Sequence, residues 1–212
     1  MSRYYPINLS LAGSECLVVG GGKVALRKAE GLVACGALVK VVSPEFCPEL
    51  TRLEGVRLLQ RPFAEDDVVG ATLVFATTTD PKVNQLVARA ARCHRIWVNV
   101  ADTPAECDFI VPATVTRGDL TISICTGSAS PALSRHLRLQ LEALFPKDYA
   151  DYVALLAQLR SEVLRRVADP TRRRTILRRL ADEPTWRLFT DEGPDAVRAL
   201  AGRLMEGIDG ES

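Results

Sequence analysis

Three glycines, Gly20-Gly21-Gly22, follow a short apolar run, Cys16-Leu17-Val18-Val19, and precede a helical pattern that begins at Lys23. Strand, glycine turn and helix in that order let a backbone hold a dinucleotide pyrophosphate. In the GxGxxG/A spacing, Gly20 permits the tight turn. Gly22 lets the phosphates reach the backbone, and Ala25 lets the helix pack closely on the strand. The N–H groups of Gly22, Lys23 and Val24, at the positive end of the helix dipole, would then face an anion. The same residues would also suit a plain βα turn that needs only positive φ. Some 20 residues on, where an acid usually binds the ribose, the chain reads Ser43-Pro44-Glu45. A serine can hydrogen-bond a ribose hydroxyl, and no arginine cluster sits beside it for a 2′-phosphate. This favours NAD over NADP.

The elements that must position these groups are legible from periodicity. The first strand runs over about 15–19. A helix over 23–35 places Val24, Leu26, Ala29, Leu32 and Val33 inward, with Gly36 as its stop. A second strand over 38–42 closes a βαβ unit. Further strands are expected at 56–60, 72–76 and 96–100, with short helical turns near 48–53 and 64–69 and a helix over 81–93. The fourth strand runs into Thr77-Thr78-Thr79, which would pass near the dinucleotide. Asp80 before Pro81 also reads as a helix cap. The fifth strand ends in Asn99-Val100-Ala101-Asp102, placing Asp102 beyond a strand's carboxyl end, on the ligand side of a doubly wound sheet. Asp102 before Thr103-Pro104 suits an Asx-type turn equally well. TVTRGDLTISI reads as a hairpin too small to stand alone, which must join the main sheet or a partner chain. Tyr4, Tyr5, Pro6, Ile7 and Leu9 are expected against a sheet edge. Leu133, Leu137, Leu141 and Leu144 line one helix face, and everything from Pro146 on reads helical.

These stretches resemble the precorrin-2 dehydrogenase, or siroheme synthase N-terminal domain, family. The resemblance is carried by Tyr5-Pro6-Ile7, LVVGGGKVALRKAEGL, ATTTDPKVNQLV, NVADTPAECDFIVPA and TGSASPALSRHLR, across most of residues 5–140. The last two are the specific ones. The resemblance implies an α/β fold: a Rossmann-like NAD domain (1–113), a hairpin-and-helix dimerisation segment (114–145) and a C-terminal helical domain (146–212), in a stand-alone form without the methyltransferase domain of some relatives. It implies NAD-dependent oxidation of precorrin-2 to sirohydrochlorin in a homodimer. An alternative is a bifunctional enzyme that also inserts ferrous iron, bound transiently. Another is a non-catalytic NAD(H)-sensing module.

Carried over by position, the functional aspartate of the family matches Asp102. A carboxylate there can take the proton released on oxidation, and partial burial beside a cofactor would raise its pKa. Cofactor contacts match Lys23, Val24, Ser43, Pro44 and Glu45, beside Gly20, Gly21, Gly22 and Thr77 to Thr79. Asn99 and the hydroxyls of Thr126, Ser128 and Ser130 fall to the substrate, where TGSASP replaces a more glycine-rich loop. A polycarboxylate substrate also asks for arginines, with Arg117 and Arg135 as candidates, and His136 could serve as ligand or proton shuttle.

Bulk properties fit this reading. In 212 residues, 27 basic side chains face 26 acidic ones, so no overall field points to nucleic acid or a membrane. The basic excess lies in the last third, where the Arg172-Arg173-Arg174 run reads as a solvated face. No apolar run is long enough to span a bilayer, the N-terminus has no signal-peptide core, and a cytoplasmic protein is expected. Six cysteines show no zinc-like spacing and read as reduced thiols. The two histidines, His94 and His136, form no HxxxH or HExxH pair, so no resident metal site is expected.

Overall fold

The computed structural model describes residues 4–207, which divide into two compact units between Val111 and Pro112. The first is a five-stranded parallel sheet. Its strands are β1 (Glu15–Val19), β2 (Leu38–Ser43), β3 (Val56–Gln60), β4 (Leu73–Ala76) and β5 (Trp97–Val100), in the order β3-β2-β1-β4-β5. That order reverses direction between β1 and β4, and the crevice at the carboxyl ends of those two strands is where such sheets bind ligands.

Period-two alternation splits β1 between two cores. Cys16 and Val18 face α1 (Lys23–Ala34), packing with Ala25, Ala29, Leu32 and Phe75. Leu17 and Val19 face α3 (Pro81–Cys93, which follows the single-turn α2, Pro48–Thr51), packing with Val87, Ala88, Ala91 and Val98. Both strand faces are therefore dry, which is why β1 reads as an unbroken apolar run. Leu17 and Val18 are fully buried, each contributing about 1.5–3 kcal/mol relative to an exposed side chain. The inward stripe of α1 begins at Ala25, and Val24, expected inside, is turned outward. α1 ends in a Schellman motif: Ala37 donates to the Leu32 carbonyl and Gly36, at φ 74°, to that of Val33.

The lead-in segment departs from expectation. Tyr5, Ile7 and Leu9 are 86%, 54% and 42% exposed; among the described residues 4–14 no strand forms and only Leu11 is buried. Alternating apolar residues suggested a sheet edge, but the β5 edge is already covered from within the unit, as described below.

The turn after β3 carries an ion pair between the exposed Arg61 and the buried Asp67. Arg61 donates to both Asp67 carboxylate oxygens at 2.6 and 2.8 Å, and Ala64 adds its backbone N–H at 2.9 Å. The Arg61 guanidinium holds the Asp67 carboxyl below the usual carboxylate range. A depressed folded-state pKa stabilises above the unfolded value and is lost as pH falls through the folded one. Asp67→Asn should therefore lower the melting temperature at pH 7 and flatten the acid-side fall below about pH 4. Melts across a pH series test this, and an acid slope equal to the parent's would refute it.

The second unit opens with the hairpin β6 (Ala113–Arg117) and β7 (Leu120–Ile124), a sheet of its own. The expectation that it might join the main sheet is not met. It packs instead on α4 (Pro131–Leu144) and α5 (Tyr149–Arg166), with Val115 buried. α6 (Pro170–Leu180), α7 (Glu183–Glu192) and α8 (Pro194–Glu206) complete a bundle around Leu155, Leu159, Val163, Leu180 and Val197. The buried Tyr152 donates its hydroxyl to the Leu180 carbonyl at 2.7 Å, and burial pushes its pKa up to about 12.

Part of the arginine run is not a solvated face. Arg172 donates to the Met205 carbonyl at 2.7 Å, at the end of α8. Arg173 reaches the Val167 and Leu164 carbonyls at the end of α5. Both are cations on the negative ends of helix dipoles.

Candidate functional site

Along the carboxyl edge of the first unit's sheet lie, in strand order, residues 43–45 after β2, 20–22 after β1, 77–79 after β4 and 101–102 after β5. Backbone geometry makes the glycine turn specific. Gly20 has φ 126°, and a Cβ there would meet Thr77 Oγ1 at 2.7 Å and the Thr77 carbonyl oxygen at 2.9 Å. A Cβ on Gly21 would lie 1.8 Å from the Glu45 carbonyl oxygen and 2.8 Å from Ser43 Oγ. Cys47 donates its N–H to the Gly21 carbonyl at 2.7 Å. So Gly20 and Gly21 are needed for packing against neighbouring loops.

Gly22 differs: a Cβ there would have nothing within 4 Å. It is the N-cap of α1, with φ −90° and ψ −170°, and no side chain caps the helix. The first-turn donors at Lys23 and Val24 thus open onto free space, with both side chains exposed. This is a cradle that fits a dinucleotide pyrophosphate. Ser43 is buried at the end of β2, its hydroxyl making no hydrogen bond among the described residues, while Pro44 and Glu45 are exposed.

The three threonines divide. Thr77 is buried and donates its hydroxyl to the Val19 carbonyl at 2.9 Å, and its N–H to the same oxygen at 2.8 Å. It ties β4 to β1, where a cofactor contact was expected. Thr78 is held by Asn84, which accepts from the Thr78 N–H at 3.1 Å and returns its amide to the Thr78 carbonyl at 3.0 Å. Thr79 is exposed. Asp80 caps α3 as expected, accepting from the Lys82 N–H at 2.8 Å. Asn84 went unread because its partner lies a helical turn upstream in a loop.

Asp102 stands apart from its neighbours. It is exposed, in the left-handed region at φ 59°. Its carboxylate makes no hydrogen bond or ion pair with the described residues, so the Asx-turn alternative is not realised. A non-glycine residue there carries strain of about 1 kcal/mol, modest for Asp. Asn99 is buried and donates its amide to the Phe109 carbonyl at 2.9 Å. It is an internal tie between β5 and the segment that follows.

In the second unit, the candidate substrate residues fall at opposite ends of α4. Thr126 knots the loop before the helix through its hydroxyl, 3.0 Å from that of Ser134 and 3.3 Å from the Ser130 N–H, which donates to it. Ser130 is the N-cap, accepting from the Leu133 N–H at 3.2 Å. Ser128 is exposed at φ 67°, and Arg135 and His136 are exposed on the first turns of α4. Arg117 sits at the far end. Its guanidinium donates to the carbonyls of Phe145 at 2.8 Å and Glu142 at 3.2 Å. It is a C-terminal cap of α4, about 20 Å of helix away from the loop. The sequence could not show this, because the bond partners lie 25 and 28 residues downstream.

A cavity of about 420 Å³ opens near the amino ends of β1, β2 and β3, lined by Glu15, Leu38, Lys40 and Arg57. It lies at the sheet edge opposite the glycine turn and has no part in the site. No group of three or more His, Cys, Asp or Glu side chains among the described residues could hold a metal ion. No described helix is long and apolar enough to cross a membrane.

Comparison with known proteins agrees with a dinucleotide-binding fold. The profile of a family described as "Putative NAD(P)-binding" matches residues 7–113. The siroheme synthase of Thioalkalivibrio sulfidiphilus is 38% identical over 210 residues, covering 97% of this chain and 43% of that protein. The siroheme synthase of Methylococcus capsulatus is 39% identical over 206 residues, covering 96% and 41%. The chain thus spans about two fifths of the length of these curated relatives. Among solved structures, "SirC, precorrin-2 dehydrogenase" superposes with a TM-score of 0.79 at 26% identity, covering 94% of this chain and all of that one.

Proposed function

The chain belongs to the NAD(P)-binding family that its residues 7–113 match, and from that premise we propose that it oxidises precorrin-2 to sirohydrochlorin with NAD, in siroheme biosynthesis. The observation that carries the reading is the pairing, on one sheet edge, of an open glycine cradle with an exposed, unengaged carboxylate at Asp102. The likeness to a precorrin-2 dehydrogenase structure supports the substrate, and the siroheme synthase relatives support the pathway.

Gly22, Lys23 and Val24 would hold the pyrophosphate through backbone N–H groups, and the Ser43 hydroxyl would meet the ribose. Glu45 disfavours a 2′-phosphate by like charge, which supports NAD. When bound, NAD supplies a hydride acceptor for a two-electron oxidation. Asp102 takes the proton that leaves the macrocycle with that hydride and passes it to water. In the second unit, Arg135, His136 and Ser128 are open to bind substrate carboxylates. The exposed Leu133 and Leu144, on one face of α4, a helix with no buried residue, support a homodimer in which a second copy covers this face.

The test is anaerobic absorbance of precorrin-2 with NAD, with and without the purified chain, on material whose mass is read by sedimentation. Sirohydrochlorin formation tied to NADH is expected, in a dimer. No rate above the spontaneous one would end the dehydrogenase reading, and an active monomer would end the dimer.

A further inference from the structure

β5 is an edge strand, yet its outer edge is closed. In a parallel strand the N–H and C=O of alternate residues point to the same side. On β5 those of Val98 and Val100 point away from β4, as Ala101 donates inward to the Ala76 carbonyl. All four outward groups are met by two consecutive residues of the segment that follows. Asp108 donates its N–H to the Val98 carbonyl at 2.9 Å and accepts the Val98 N–H on its carboxylate at 3.0 Å. Cys107 does the same through one atom: Sγ accepts the Val100 N–H and donates to the Val100 carbonyl, each at 3.2 Å. The thiol also lies 3.5 Å from the Thr103 carbonyl. The segment is braced from behind by Asn99 on the Phe109 carbonyl and by Arg92, which donates to the Glu106 carbonyl at 2.7 Å.

Val100 is two residues before Asp102, and Thr103 is the residue after it. The contacts of the thiol therefore bracket the left-handed residue. We infer that Cys107 is a positioning residue for Asp102, its thiol acting as donor and acceptor in place of a missing sixth strand. This inference rests on the reading of Asp102 as the proton acceptor. Burial pushes the Cys107 thiol up, against a smaller opposing effect from its Val100 bond, so it stays protonated and able to donate. Alanine or valine leaves the Val100 N–H without its partner and the Val100 carbonyl with only the longer Thr103 N–H contact at 3.4 Å, whereas serine keeps both functions at a shorter reach.

The experiment compares Cys107→Ala, Cys107→Val and Cys107→Ser with the parent, and with the same changes on an Asp102→Asn background. Alanine and valine should lower kcat about tenfold or more, with NAD affinity and the KM for precorrin-2 within about twofold, because the loss is in alignment of one group. Serine should recover most of it but, at its shorter reach, stay about two- to threefold below the parent. On the Asp102→Asn background Cys107→Val should cost less than about twofold, since the thiol acts through the carboxylate. A structural defect alone would lower NAD affinity and add fully on that background, overturning the inference. If the apolar variants do not fold, Cys107→Ser carries the test, and a kcat equal to the parent's overturns it. Asp102→Asn at full activity would instead end the underlying reading of Asp102. Loss in Asp102→Asn beside a fully active Cys107→Val would end this inference alone.

Discussion

Asp102→Asn should lower turnover of precorrin-2 by roughly two to four orders of magnitude, the range a positioned acid–base group contributes, while NAD affinity stays within about twofold. Asparagine suits the test because it tolerates the left-handed backbone at φ 59° as well as aspartate does. It keeps the side chain's size and removes only the ability to take a proton at working pH. No described residue uses the carboxylate, so its loss breaks no internal contact and the melting temperature should hold. Asp102→Gly sharpens the argument. Glycine relieves the backbone strain, so the folded protein should be as stable or up to about 1 kcal/mol more stable, and equally inactive. Stability that rises as activity vanishes is what a residue retained for chemistry shows. An Asp102→Asn protein turning over precorrin-2 at the parent rate would remove Asp102 from the mechanism.

What could be read in advance follows a physical division. The strand positions, the glycine turn, the cap at Asp80 and the place of Asp102 beyond β5 depend on local spacing, and local spacing is visible in a chain. Thr77, Asn99 and Arg117 were read as ligand contacts because they are polar residues near the right strand ends or arginines near the right loop. Their hydrogen bonds go to Val19, Phe109 and Phe145, which are 58, 10 and 28 residues away. A polar side chain carries no mark in its sequence of whether a distant carbonyl has claimed it. Cys107 and Asp108 were missed for the converse reason. Each looked like an ordinary loop residue, yet buried backbone groups need partners. Asking what meets the outward N–H groups of a last strand would have pointed to the polar side chains just after it. Leu133 and Leu144, two of the four leucines that patterning put on one face of α4, remain exposed, and only the family resemblance named a second copy as their cover.

Adjacent glycines in the turn should fail in opposite ways, and this separates architecture from binding. Gly21→Ala places a methyl 1.8 Å from the Glu45 carbonyl oxygen, a backbone atom that no rotamer change can move. The loop over 43–47 must shift, and the Cys47 to Gly21 hydrogen bond goes with it. A loss of about 3 kcal/mol or more is expected, with no measurable NAD binding. Gly22→Ser meets nothing within 4 Å, and the extended backbone of Gly22 is that of an N-cap. Its hydroxyl can satisfy a first-turn N–H of α1, so stability should hold or rise by a few tenths of a kcal/mol. The same hydroxyl then occupies the donors and the space a pyrophosphate needs, so NAD affinity should fall at least about tenfold, the equivalent of one lost charge-assisted hydrogen bond. Thermal melts and NAD titration of the two variants decide the matter. If Gly22→Ser binds NAD like the parent, the phosphates do not rest on the start of α1. If Gly21→Ala is as stable as the parent, the packing of the 43–47 loop on the turn is not what fixes it.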